Sequence, residues 1–175
     1  MDGDRGFRPQ QRGVIIRMGL ALAATLAAMA AALYAGWGDV APDTDERLSM
    51  AGAAGFIPAF WLTATIADVA RRRLLSPDGI GGGDDPALTG PQSVLRNTLE
   101  QAVLAWPVWL GVALFMDRPA SLLIALGGLF SLGRLLFWTG WGRGAAARAF
   151  GFGLTFYPTV AALALASLSA AGAPW

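Results

Sequence analysis

Five long apolar blocks, separated by short polar connections, dominate the chain. They cover 13–37, 48–70, 92–116, 119–138 and 145–170. Each is close to the ~20 residues an α-helix needs to cross a hydrocarbon layer. The pattern predicts an all-α membrane protein with five spans. The connections at 117–119 and 139–144 are so short that the helices they join must form antiparallel hairpins. The first block is longer than the ~7–15 residue core of a secretory leader and shows no convincing cleavage site, so it reads as a retained span preceded by a tail at 1–12. The only long connection, 76–91, is rich in glycine. No strand precedes it and its spacing fits no phosphate-binding loop, so a flexible connection is expected. Asp84 and Asp85 within it read as solvated charge.

Several polar residues interrupt these apolar blocks. Arg96, Asn97, Glu100 and Gln101 follow an i, i+1, i+4, i+5 pattern, which is one narrow helix face. Arg134 lies near the end of the fourth block and Arg148 at the start of the fifth. A charge near the bilayer centre costs about 2.5–3.5 kcal/mol even on lenient scales, so an intramembrane cluster points to a functional site. At a rise of ~1.5 Å per residue, Glu100 and Arg134 lie at matching depths, roughly 10 Å from the same mouth. Their opposite charges predict a pair; Arg96 and Glu100, four apart, can pair as well. Two readings of the cluster stand. A buried Arg–Glu pair can simply fix helix register. The surplus of arginine (Arg96, Arg134, Arg143, Arg148) over Glu100 favours an anionic ligand, because guanidinium grips carboxylates bidentately.

Composition narrows the chemistry. The 175 residues are 55% hydrophobic and 14% charged, against about 25% charged in soluble domains. With no Cys and no His, thiolate metal sites, disulfides, Cys nucleophiles and imidazole bases are excluded. The net charge of +1 gives no footprint for nucleic acid. Charge placement sets an orientation. Arg5, Arg8, Arg12, Arg17, Arg71, Arg72, Arg73, Arg143 and Arg148 fall on one side of a five-span thread. The other side holds Arg47 and Arg118 among Asp39, Asp43, Asp45, Glu46 and Asp117. The expected topology is N-terminus cytoplasmic and C-terminus outside, in a bacterial inner membrane. Reporters fused after Arg73 and after Trp175 should give inside and outside signals respectively; matching signals would exclude five spans. Trp138 and Trp141 read as part of an interfacial belt, Trp106 and Trp109 as packing. Small residues such as Gly52, Gly55, Gly127 and Gly128 permit close helix approach, either within one bundle or between copies.

The polar motifs resemble those of the MAPEG family, membrane-associated proteins in eicosanoid and glutathione metabolism. Arg96-Asn97-Thr98-Leu99-Glu100 is similar to the family's RNxxE signature. The run from Arg134 to Arg143, followed by Arg148, is similar to its R-x-x-[YH]-x-x-G-Y-x-R segment and the arginine opening its last helix. Arg71, Arg72 and Arg73 resemble the basic end of its first helix. The resemblance covers about 48–170 and implies a four-helix membrane domain (48–171) with one extra helix before it.

It also implies a homotrimer binding glutathione between protomers near the cytoplasmic face, and an apolar electrophile arriving from lipid. Asn97 and Glu100 are then expected to hold the tripeptide's backbone and amino group, with Arg96, Gln101 and Trp141 beside them. Arg134 and Arg143 are expected to hold carboxylates or the stripe itself. Arg148 takes the place of the arginine that stabilises the thiolate. The chain departs from the family at Ser93 (often Arg), Gln101 (often Tyr), and Phe137 and Trp141 (positions of Tyr). Ser93, Gln101 and Trp141 can still donate hydrogen bonds; Phe137 cannot. The functions implied are a glutathione-dependent transferase or peroxidase acting on lipophilic electrophiles, or a non-catalytic scaffold or lipid-binding member of the same fold. A small transporter fits less well, because the spans show no repeat and the polar residues cluster at one end.

Overall fold

The computed structural model describes residues 3–35, 42–76, 80 and 85–172. Trp37, Asp39, residues 77–79 and 81–84 of the 76–91 connection (Asp84 among them) and Trp175 lie outside the described residues. Among the described residues there is no strand, and five helices are long and apolar enough to cross a membrane. They are α1 (Gly3–Tyr34), α2 (Thr44–Leu74), α3 (Thr89–Phe115), α4 (Pro119–Gly140) and α5 (Ala145–Ala170). Short 3₁₀ turns, Pro86–Leu88 and Trp141–Arg143, precede α3 and follow α4.

α1 and α2 begin before their apolar blocks, and α2 is capped at its polar start. α1 starts at Gly3, so the expected tail is already helical there. Asp43 caps α2, its carboxylate accepting from the Glu46 amide at 2.9 Å. Asp45 and Glu46 in the first turn and Arg71, Arg72 and Arg73 in the last oppose the helix dipole. Asp68 meets Arg71 at 3.2 Å and Arg72 at 3.0 Å in exposed pairs of small energetic weight. Asp85 is a cap as well as a loop charge. Its carboxylate accepts from the Ser76 hydroxyl at 2.6 Å and the Ala87 amide at 2.8 Å, which holds its pKa below the usual carboxylate value.

Helices α2, α3, α5 and α4 form a ring, each packed on the next, with α3 and α4 also touching across it. α1 lies outside this four-helix ring, against α5 and α4 only. Buried residues make up 17% of the most apolar stretch of α1 and 22% of that of α2, against 50% for α4 and α5, so α1 and α2 are the least buried of the five. The centre is apolar: Trp109 and Phe130 meet edge to face at 5.6 Å, and Val112, Leu122 and Ala162 are fully buried around them. The tightest crossing is α4 on α5. A Cβ on Gly133 would meet the Gly151 carbonyl oxygen at 2.8 Å, so only glycine lets the two backbones touch. Gly55 and Gly127 likewise serve packing inside the bundle, against Trp106 and Ile57, whereas Gly52 and Gly128 have open space beside them.

Arg47 ties α2 to the far end of α3. Its Nη1 donates to the carbonyls of Ala113 (2.9 Å), Leu114 (3.3 Å) and Met116 (2.7 Å), and its Nε to Pro42 (2.9 Å). These include carbonyls that the ending helix leaves unpaired, and a cation is favoured at a helix C-terminus. Arg47→Ala should lower stability by about 1–3 kcal/mol. Thermal unfolding in detergent checks it; an unchanged midpoint would mean that water satisfies these carbonyls equally well.

Candidate cavity near the α4–α5 turn

At the end of the bundle near the α4–α5 turn, a cavity of about 560 Å³ opens between α3 and α1. α3 supplies its polar wall through Ser93, Arg96, Asn97 and Glu100. These are spaced i, i+3, i+4, i+7 and therefore share one face. Phe137 and Trp141 line the α4 side, and Arg148 and Phe152 line it from α5 together with Ala145 and Ala149. The opposing wall is α1, through Val14 and Met18. Gly144 makes the geometry possible. Its φ of +92° breaks the chain between the 3₁₀ turn and α5, a conformation that side chains resist. Arg148, one turn into α5, is thereby brought over Trp141, its guanidinium carbon 4.1 Å from the ring centroid.

Arg134 is placed differently from the sequence expectation. It is 2% exposed and stands behind the cavity wall. Its Nη1 donates to Asn97 Oδ1 at 2.8 Å and its Nη2 to Thr155 Oγ1 at 2.6 Å. Its guanidinium also lies over the Phe137 ring, 4.7 Å from the centroid. The expected Glu100–Arg134 pair does not form in this chain: Glu100 is exposed, and the described residues show no ion pair for either group. Arg96 and Glu100 form none with each other either. Matching depth leaves the azimuth open. Asn97 is about 60° round α3 from Glu100, and that angle decides which of them faces the bundle.

The Arg134–Asn97 bond fixes an orientation. Arginine has only donors, so Asn97 must turn its oxygen inward. Its amide nitrogen, two further donors, is left for the cavity. Thr155 meanwhile donates its own proton to the Phe152 carbonyl at 2.9 Å and presents a lone pair to Arg134. Thr155 escaped the sequence reading because it sits in an apolar run. The usable signal was its place one turn after Gly151, where α4 and α5 touch.

Besides Arg134, two expected site residues lie outside the cavity lining. Gln101 turns into the bundle, 5% exposed, on the inner flank of the stripe. Arg143 curls back over the end of α4, donating from Nε and Nη2 to the Thr139 carbonyl at 3.2 and 2.9 Å. Trp141, expected in an interfacial belt and also at a family site position, lines the cavity. What the cavity offers is therefore two arginine heads, one amide donor group and a single carboxylate, set against apolar surface.

The model of the MAPEG family matches residues 48–168. The chain belongs to the MAPEG family. The match takes in α3, α4 and most of α2 and α5, so the polar wall, Arg134 and Arg148 all belong to the MAPEG portion, while α1 precedes it. No curated protein matches the chain, and no solved structure does. With five apolar helices, this MAPEG protein is an integral membrane protein whose four-helix bundle carries one additional helix.

Proposed function

We propose that this MAPEG protein binds glutathione in the cavity and acts as a transferase or peroxidase on lipophilic electrophiles, in the N-in, C-out orientation and as a homotrimer. The observation that carries the reading is the donor set of the cavity. Glutathione has two carboxylates, peptide carbonyls and one ammonium. Arg96 and Arg148 suit the carboxylates or a developing thiolate, the Asn97 amide suits a carbonyl, and Glu100 suits the ammonium. The apolar surface of Phe137, Phe152, Val14 and Met18 suits an electrophile drawn from the membrane.

Bound glutathione supplies a thiol nucleophile; the chain itself, with no Cys, has none. Its own residues do the remainder. Arg134 holds the Asn97 amide, Asn97 and Glu100 orient the ligand, and Arg148 places positive charge where a thiolate gains from it.

Calorimetric titration of glutathione into the detergent-solubilised protein tests the reading. Binding near physiological concentrations, lost in Glu100→Gln, is the expected result. Silence would favour the second reading, a non-catalytic scaffold or lipid-binding MAPEG member. One observation supports that alternative: Arg134 spends both terminal nitrogens on protein groups, as a residue that sets helix register does.

A further inference from the structure

The helix that precedes the MAPEG match forms part of the cavity. α1 touches α5 and α4 but not α3, and the cavity is the gap between α1 and α3. One side of that gap is polar (Arg96, Asn97, Glu100), and the other is apolar (Val14, Met18). Small residues seat α1 on α5 on either side of those two. Gly13 packs on Ala146, where a Cβ would find the alanine methyl at 3.4 Å. A Cβ on Gly153 would meet Ala21 at 2.6 Å, so the helices are in close contact there. Farther along, the Ser121 hydroxyl donates to the Ala32 carbonyl at 2.9 Å, and Met29 enters the core. α1 is therefore a packed wall held along its length. Facing it on α5, Ala145 and Ala149 are too small to fill the space.

We infer that α1 is the specificity wall of this site: Val14 and Met18 set the length and bulk of the apolar group that lies against α1, in the gap between α1 and α3, while its reactive end meets the polar wall. The substrate class is an electrophile carrying a slim, chain-like apolar part. This deepens the proposed function and rests on it for the word electrophile; the wall itself rests on the cavity geometry. Met18 is the more telling of the two. Its side chain is long, unbranched and half-buried, and such a side chain adapts to what it packs against. Leu20, two residues on, points away from the cavity and is 57% exposed.

Two homologous ligand series separate this inference from the glutathione reading. One is S-alkylglutathiones and the other alkyl carboxylates, each from methyl to octyl, titrated into the full-length protein in detergent. In the parent, affinity should rise with chain length and then level off where the chain meets α1. Met18→Ala should move that limit to longer chains, and Met18→Trp to shorter ones, each changing octyl-to-methyl selectivity by about tenfold. Leu20→Trp, adding the same bulk on the lipid side, should keep the parental pattern. If S-alkylglutathiones bind but all four proteins show the same chain-length dependence, the wall is overturned and the glutathione reading stands. Met18-dependent binding of the carboxylates alone upholds the wall and overturns glutathione. If neither series binds any of the proteins, both fall.

Discussion

Arg134→Met should leave the bundle folded and weaken ligand binding in the cavity by tenfold or more. The expectation comes from comparing magnitudes. Arg134 is almost wholly buried, and its bonded partners are neutral side chains. Keeping a guanidinium there incurs a desolvation penalty of several kcal/mol, on the order of the two charge-assisted hydrogen bonds it gains at about 1.5–3 kcal/mol each. Replacing it by an apolar side chain of similar length removes both terms. The partners are not stranded either. Thr155 already donates to Phe152, and half-buried Asn97 can turn its amide to water in the cavity. Thermal unfolding should therefore shift little. Asn97, though, loses the donor that fixes its orientation, and the cavity loses its amide donor group. Calorimetry on Arg134→Met should show glutathione affinity reduced by tenfold or more. A double-mutant cycle on binding should couple Arg134→Met to Asn97→Ala by about 0.5–3 kcal/mol, as for residues in one network. The same cycle with Glu100→Gln should give the smaller coupling. If Arg134→Met unfolds the protein, the residue is structural; if it binds normally, the amide is held some other way.

What could be read from the chain follows from which physical signals are one-dimensional. Apolar length along a helix is such a signal, so the five spans, their hairpins and the MAPEG resemblance at Arg96–Glu100 and Arg134–Arg148 were legible. Depth is one-dimensional as well, and the polar residues do gather at one end of the bundle. Azimuth is not. Whether Asn97 or Glu100 meets Arg134 depends on how α3 is rotated against α4, a tertiary event. Gln101 differs from the cavity-facing residues by a small rotation and one turn of depth, and Arg143 by the local fold of the 3₁₀ turn. The contribution of α1 was hidden for another reason. Val14 and Met18 are ordinary apolar residues in an apolar helix, and only the side on which that helix docks makes them part of a site.

Arg148→Ala should move the pH dependence of thiol conjugation upward while leaving the fold intact. On the proposed function, the guanidinium lies in the cavity wall where it can stand near the bound sulfur. A cation within ~4–6 Å favours the charged form of a neighbouring acid by about 1–3 pKa units. Its sign is fixed: the cation lowers the thiol pKa, so removing it raises the pH at which thiolate forms. The rate changes less than the thiolate fraction does. Each unit of lowered pKa gives about tenfold more thiolate at neutral pH but about threefold less intrinsic nucleophilicity, since the Brønsted slope is about 0.4–0.5. Losing one to three units should thus slow conjugation at neutral pH by about threefold to thirtyfold. Structural effects should be small, because stacking on Trp141 is worth about 0.5–1 kcal/mol at a half-exposed site. Arg148→Lys separates charge from shape. A point charge suffices for sulfur, so the pH midpoint should return most of the way, although lysine lacks the flat guanidinium that stacks on the indole. Trp141→Ala should act in the same direction as Arg148→Ala but more weakly, by loosening the platform. The rate–pH profile, with thiolate absorbance in the ultraviolet as a second readout, decides the matter. An Arg148→Ala midpoint equal to the parent's would remove Arg148 from the chemistry and leave it as one more positive charge at the membrane surface.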